Sequence, residues 1–160
     1  MARYNIWQNK QLMRILDGVS EDALMLDRGA FFGSIMGTIN HLLWADMMWL
    51  SRFDNRVEAP EISGADSPKM CLTFGDWNAQ RFRTDGQIRL WADGLRSVDL
   101  RGDLTWYSGM LKQDFSKPMA ACVSHFFNHQ THHRGQVHMM LTSIGQKAPV
   151  SDLILMPEDA

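Results

Sequence analysis

Apolar residues recur along this chain at steps of three and four, interrupted by glycine, proline and small polar clusters. That is the pattern of amphipathic helices joined by turns. From about Tyr4 to Asp17, Ile6, Trp7, Leu12, Met13, Ile15 and Leu16 fit a first helix that Gly18 ends. Ser20-Glu21-Asp22 predicts a short helical turn, stopped by Asp27-Arg28-Gly29. Ser34 is a candidate N-cap for a helix from Ile35 to about Phe53. That helix is apolar nearly all round, which places it centrally in its domain. His41 and Asp46 are its polar exceptions. Residues 54 to about 74 carry Pro60, Gly64 and Pro68 and read as a connection. It is long for a compact domain, so it either crosses the molecule or carries function. A third long helix is expected from near Asp76 to about Ala92, with Trp77, Phe82, Ile88, Leu90 and Trp91 as its apolar positions. Leu104-Thr105-Trp106-Tyr107 and the run from Gln113 to Lys117 flank Ser108-Gly109-Met110 and predict a small β-hairpin. Pro118 opens the last helix. It extends to about Ile144, with Gly145 as its C-cap.

The last helix holds the most informative pattern. Met119, Cys122, Phe126, His129, His133, Val137, Met140 and Ile144 form an inward stripe with two imidazoles in its middle. His129 and His133 stand one turn apart, a spacing at which two rings can share a metal ion. Buried imidazoles need partners for their ring nitrogens, and a transition metal satisfies both at once. A third ligand is then required. Of the six histidines, His41 alone lies outside the last helix. It is the best candidate, because Asp46 sits about 140° round the same helix. Asp46 is expected to be a structural partner for a base such as Arg134. His125, four residues before His129, is a fourth ligand, a partner behind a ligand, or an acid/base group at the rim. His132 points about 100° away from His133 and reads as an interface or surface residue, and His138 likewise.

Composition narrows the function. The chain has 160 residues, enough for one domain spanning 1–160. Its net charge of −2 and lack of a basic cluster leave no electrostatic footprint for nucleic acid or an anionic membrane. The longest uncharged stretch, Gly29 to Ala45, is short for a bilayer span. The first residues lack the apolar core of a signal peptide. Cys71 and Cys122 form no CxxC and suggest no disulfide framework, so a reducing cytoplasm is the expected setting. Twelve Met and six Trp are read mainly as packing residues.

Three neutral histidines leave a metal ion its full charge and an open position, as in catalytic sites. In the helical metalloprotease signature a Glu follows the first His as general base. Here Gln130 holds that place, which disfavours a zinc peptidase. The last helix contains no Asp or Glu, so a di-iron carboxylate site is disfavoured too. An open position takes water or a thiolate and lowers the pKa of either. Neither cysteine has an activating context, so a thiol would come from a small molecule.

Four segments together resemble the DinB (damage-inducible) family. They are Tyr4-Asn5-Ile6-Trp7, Arg28-Gly29-Ala30-Phe31-Phe32-Gly33-Ser34-Ile35, Asn40-His41-Leu42-Leu43-Trp44-Ala45-Asp46 and Asn128-His129-Gln130-Thr131-His132-His133-Arg134-Gly135-Gln136. That family includes YfiT-like metal-dependent hydrolases and thiol-dependent S-transferases. The resemblance implies an all-α four-helix bundle of up-down-down-up topology, often dimeric. It implies a divalent transition metal (zinc, nickel or iron) on three histidines, which match His41, His129 and His133. It also implies a low-molecular-weight thiol as cosubstrate and a small electrophile as its acceptor. Two alternatives stay open. One is a hydrolase that activates water. The other is a non-catalytic bundle whose ion stabilises the fold or whose surface binds a partner.

Overall fold

The computed structural model describes residues 1–109 and 111–160. It is mostly helical, with one small antiparallel hairpin among the described residues. The long helices are α1 (Ala2–Leu16), α3 (Ile35–Phe53), α4 (Phe74–Gly94) and α5 (Met119–Ser143), and α2 (Glu21–Met25) is a single short turn. The hairpin strands β1 (Asp103–Ser108) and β2 (Gln113–Pro118) precede α5, with Trp106 opposite Phe115. Met110 of the expected turn lies outside the described residues.

Local chemistry sets the helix ends. The Ser20, Ser34 and Thr73 hydroxyls accept from the backbone N–H groups of Ala23, Gly37 and Asp76, each satisfying a donor that the helix leaves open. At the far end of α5, Gly145 takes a left-handed φ of 76°. Its N–H bonds to Thr142 and that of Gln146 to Leu141, a Schellman closure. Pro118 ends β2 as the residue before α5, so the hairpin feeds directly into the helix.

α3 packs against α2, α4 and α5, and α1 packs against α4 and α5. Two apolar clusters result. The larger joins Leu12, Leu16, Leu24, Ile39, Leu43, Trp77, Val137 and Met140; the smaller joins Ala2, Leu50, Ile88, Trp91 and Phe126. A polar group of Asn5, Asn9, Asp46, Arg81, Asp85, Gln130 and Arg134, all buried, lies at the helix levels between them. Of the five apolar positions read for α4, three face the core. Trp77, Ile88 and Trp91 are buried, but Phe82 and Leu90 are exposed, and Arg81, Thr84 and Asp85 take the inner face. Charge goes inside there because the partners arrive from α1 and α3.

The turn before α3 runs against that helix. A Cβ at Gly37 would overlap the backbone carbonyl of Phe32, so only glycine permits the approach. Gly37→Ala is expected to cost about 1–3 kcal/mol by overpacking, read as a lower urea midpoint at unchanged slope.

Candidate metal centre

α3 presents His41 two turns after its Ser34 cap, and α5 presents His129 and His133 on the facing side. One nitrogen from each ring lies within 4.8 Å of the other two. Among the described residues this is the only such group of His, Cys, Asp and Glu side chains. His41 Nε2 and His129 Nε2 are 3.3 Å apart. Two nitrogens at zinc-like bond lengths on a tetrahedral ion stand about 3.3 Å from each other. The donor set therefore fits a divalent transition metal.

The hydrogen bonds behind the rings fix their tautomers. Ser67 donates its only hydroxyl proton to the Gly64 carbonyl at 2.7 Å. Its oxygen, 2.9 Å from His41 Nδ1, must then accept from that nitrogen. Nδ1 of His41 thus carries the proton, and Nε2 keeps a free lone pair toward His129. His133 Nδ1 likewise donates to Gln136 Oε1 at 2.8 Å. Such outer partners orient a ligand ring and raise its basicity.

Ser67 reaches His41 across the long connection because Asn40 fastens that segment. The Asn40 side-chain amide donates to the Pro68 and Cys71 carbonyls at 3.0 and 2.9 Å, and Cys71 N–H donates back at 3.2 Å. The connection thus carries part of the site. Ser67→Ala is expected to weaken metal binding about 10–100-fold with the fold intact, measured by competition with a chromogenic chelator.

Burial and mutual repulsion keep the rings neutral. Burial, with His133 nearby, lowers His41 to about 4. Burial and the neighbouring histidines, His133 foremost, lower His129 to about 3. Burial also lowers His133, against the pull of Gln136. At neutral pH all three are unprotonated, the form that binds a metal.

The remaining sequence candidates fall elsewhere. His125 is exposed, with its ring 5.7 Å from that of His129 and edge-on to Trp49 at 5.1 Å. The structure does not bring it into the converging group. His132 is exposed beside Gln136, and His138 lies near Tyr4. Asp46 does not pair directly with Arg134. Its carboxylate takes Arg81 at 2.6 Å and the Gln130 side-chain amide, while Arg134 donates to Gln130 at 3.0 Å and to Asn5. Gln130 is therefore the link that a reading by charge alone passes over. It follows His129 but is buried, with its amide spent on Asp46 and Arg134. Burial raises the Asp46 carboxyl to about 6 against the pull of Arg81.

Neither cysteine competes as a nucleophile. Both are buried and free, and burial raises the Cys71 thiol to about 11 and Cys122 in the same direction. No helix among the described residues is long and apolar enough to cross a membrane.

Comparison with known proteins agrees with this geometry. No curated protein matches the chain. The family model described as the DinB family matches residues 1–160, the whole chain. A chain matched from end to end, with three converging histidines drawn from two of its helices, belongs to the DinB family.

Proposed function

We propose that His41, His129 and His133 hold one divalent transition metal (zinc, nickel or iron), and that the protein transfers a low-molecular-weight thiol to a small electrophile. The observation that carries this reading is the convergence of three neutral imidazole nitrogens within 4.8 Å, two of them with their tautomers set from behind. A bound divalent ion supplies Lewis acidity and lowers the pKa of a thiol or water that meets it. The chain's own residues do the rest. Ser67 and Gln136 hold the Nδ1 protons, so the Nε2 lone pairs stay available. Asn40 anchors the segment that carries Ser67.

A thiol is favoured over water for a specific reason. Among the described residues no carboxylate joins the three histidines, and Gln130 cannot take a proton. Water on the ion would ionise as a thiol does, but hydrolysis also asks for a group that shuttles protons to the leaving group, whereas attack of a thiolate on carbon needs no further proton transfer. The thiol loses its proton to solvent, its sulfur forms the new S–C bond as the bond from carbon to the leaving group breaks, and the leaving group departs with that electron pair.

The same reading extends to architecture and setting. The four long helices form an up-down-down-up bundle. In support, Ile39 meets Trp77, Asp46 meets Arg81 and Phe53 meets Trp91 in step along α3 and α4. Along α3 and α5 the order reverses, from His41 with His133 to Phe53 with Phe126. Exposed Phe82 and Leu90 beside Ile6 and Met13 support a homodimer through α1 and α4. Two free cysteines support a reducing, cytoplasmic setting.

The test is an assay of metal-loaded protein with a panel of small thiols and chlorodinitrobenzene, which releases chloride on substitution. Thioether formation that needs both metal and thiol is expected. Equal turnover by metal-free protein would overturn the reading. Metal-dependent release of chloride without thiol would turn it toward hydrolysis.

A further inference from the structure

The cleft in front of His41 has a character that metal binding alone does not require. Phe31, Phe32, Trp44, Gly64 and Pro68 line it together with His41, around a volume of about 600 Å³. Apart from His41, no ionisable side chain among the described residues lines it. The Phe32 ring stacks on the His41 imidazole at 3.9 Å between centroids and 24° between planes. The Trp44 ring lies at the same 24° to that imidazole, 6.1 Å away.

Both walls are fixed. Trp44 Nε1 donates to the Ile62 carbonyl at 2.9 Å. Gly64 backs the same indole so closely that an added Cβ would come within 3.1 Å of its ring. At the mouth, Phe31 is 81% exposed yet packed edge-on to Phe32 at 4.8 Å. A concave, apolar space that ends on a candidate ligand histidine is where a small molecule binds. Its walls are flat rings, which favour a flat guest by stacking and edge contacts. Along these walls, among the described residues, a charged guest would lose hydration and meet no partner.

We propose that this cleft binds the uncharged, planar, apolar part of the electrophile, with its reacting carbon toward His41. The proposal rests on the metal-dependent transfer reading and names the substrate class for it: neutral aromatic or comparably flat electrophiles. Gly64 acts as a specificity-determining position, because any larger residue there enters the cleft or displaces Trp44.

The probes are a neutral naphthol and the naphthoate of the same ring system, titrated against metal-free and metal-loaded protein by calorimetry. Naphthol is expected to bind at least about tenfold more tightly than naphthoate to metal-free protein, whereas in the metal-loaded sample the carboxylate of naphthoate can also meet the ion. Gly64→Leu, which fills the cleft, and Phe31→Ala, which opens its mouth, are each expected to weaken naphthol binding about tenfold. Phe31 is largely exposed, so its removal leaves folding and metal content in place and keeps the test informative if Gly64→Leu folds poorly. Naphthol bound no better than naphthoate by metal-free protein, or bound equally by wild type and Phe31→Ala, would overturn the proposal. Metal content of the same samples separates the two readings. Metal taken up with no preference for naphthol sinks the cleft alone, whereas naphthol preference with no metal uptake supports the cleft and sinks the metal reading.

Discussion

Replacing His129 with alanine is expected to remove stoichiometric divalent metal from the protein. His129 is the central donor, with its Nε2 3.3 Å from that of His41 and its ring 4.5 Å from that of His133. Without it, two imidazoles remain, and the loss should exceed the roughly 10–100-fold that removal of an outer partner costs. The fold should survive, because the ring is only half-buried and belongs to neither apolar cluster. The clearest readout is thermal. A metal that binds only the folded state stabilises wild type by about 2.7 kcal/mol at a free concentration one hundred times its Kd. That gain should vanish in His129→Ala and persist in His125→Ala, since His125 stands outside the converging group. Differential scanning calorimetry with and without added zinc checks both variants, and an unchanged metal-dependent rise in His129→Ala would refute the ligand assignment.

The second large effect concerns the buried charges. Arg81 bridges Asp46 at 2.6 Å and Asp85 at 2.9 Å, and all three side chains are almost wholly enclosed. Asn9 adds a bond to Asp85 at 2.8 Å, and Gln130 one to Asp46. Arg81→Met leaves two carboxylates without their cation, a change expected to cost about 3–5 kcal/mol. Its pH dependence has a definite sign. Burial already raises both carboxyls, with Arg81 pulling them back. Loss of the cation raises them further. A carboxyl with a raised folded-state pKa supports the fold in its protonated form, and that support is lost as pH rises through the folded-state value. The variant's deficit relative to wild type should therefore be largest at about pH 8 and shrink toward pH 5, while the lowered histidines weaken both proteins alike as pH falls. Urea unfolding across that range measures it. A deficit that grows toward low pH would contradict the assignment.

Much of the site was legible in the chain because its chemistry is local. The i, i+4 spacing of His129 and His133 needs only helical geometry, and His41 was the sole histidine on another helix. Ser34, Gly145 and the hairpin before α5 follow from capping and turn chemistry. What stayed hidden depends on contacts across the fold. Ser67 sits in a segment without periodicity, and nothing in its neighbours announces that Asn40 folds it back onto His41. The inner face of α4 misleads for a related reason. Hydropathy favours Phe82 and Leu90 over Arg81 and Asp85, yet ion pairs and hydrogen bonds from α1 and α3 make the charged residues the buried ones. Asp46 and Arg134, expected as direct partners, are instead joined through Gln130, an amide with no charge to attract notice.

One cation held between two helices by three rings is the claim beneath the proposed chemistry. Anomalous diffraction from a zinc-soaked crystal, recorded on both sides of the zinc absorption edge, tests it most directly. A single peak per chain about 2.0–2.1 Å from one nitrogen each of His41, His129 and His133 is the predicted result. A peak on other side chains, or none at full zinc occupancy in solution, would contradict it.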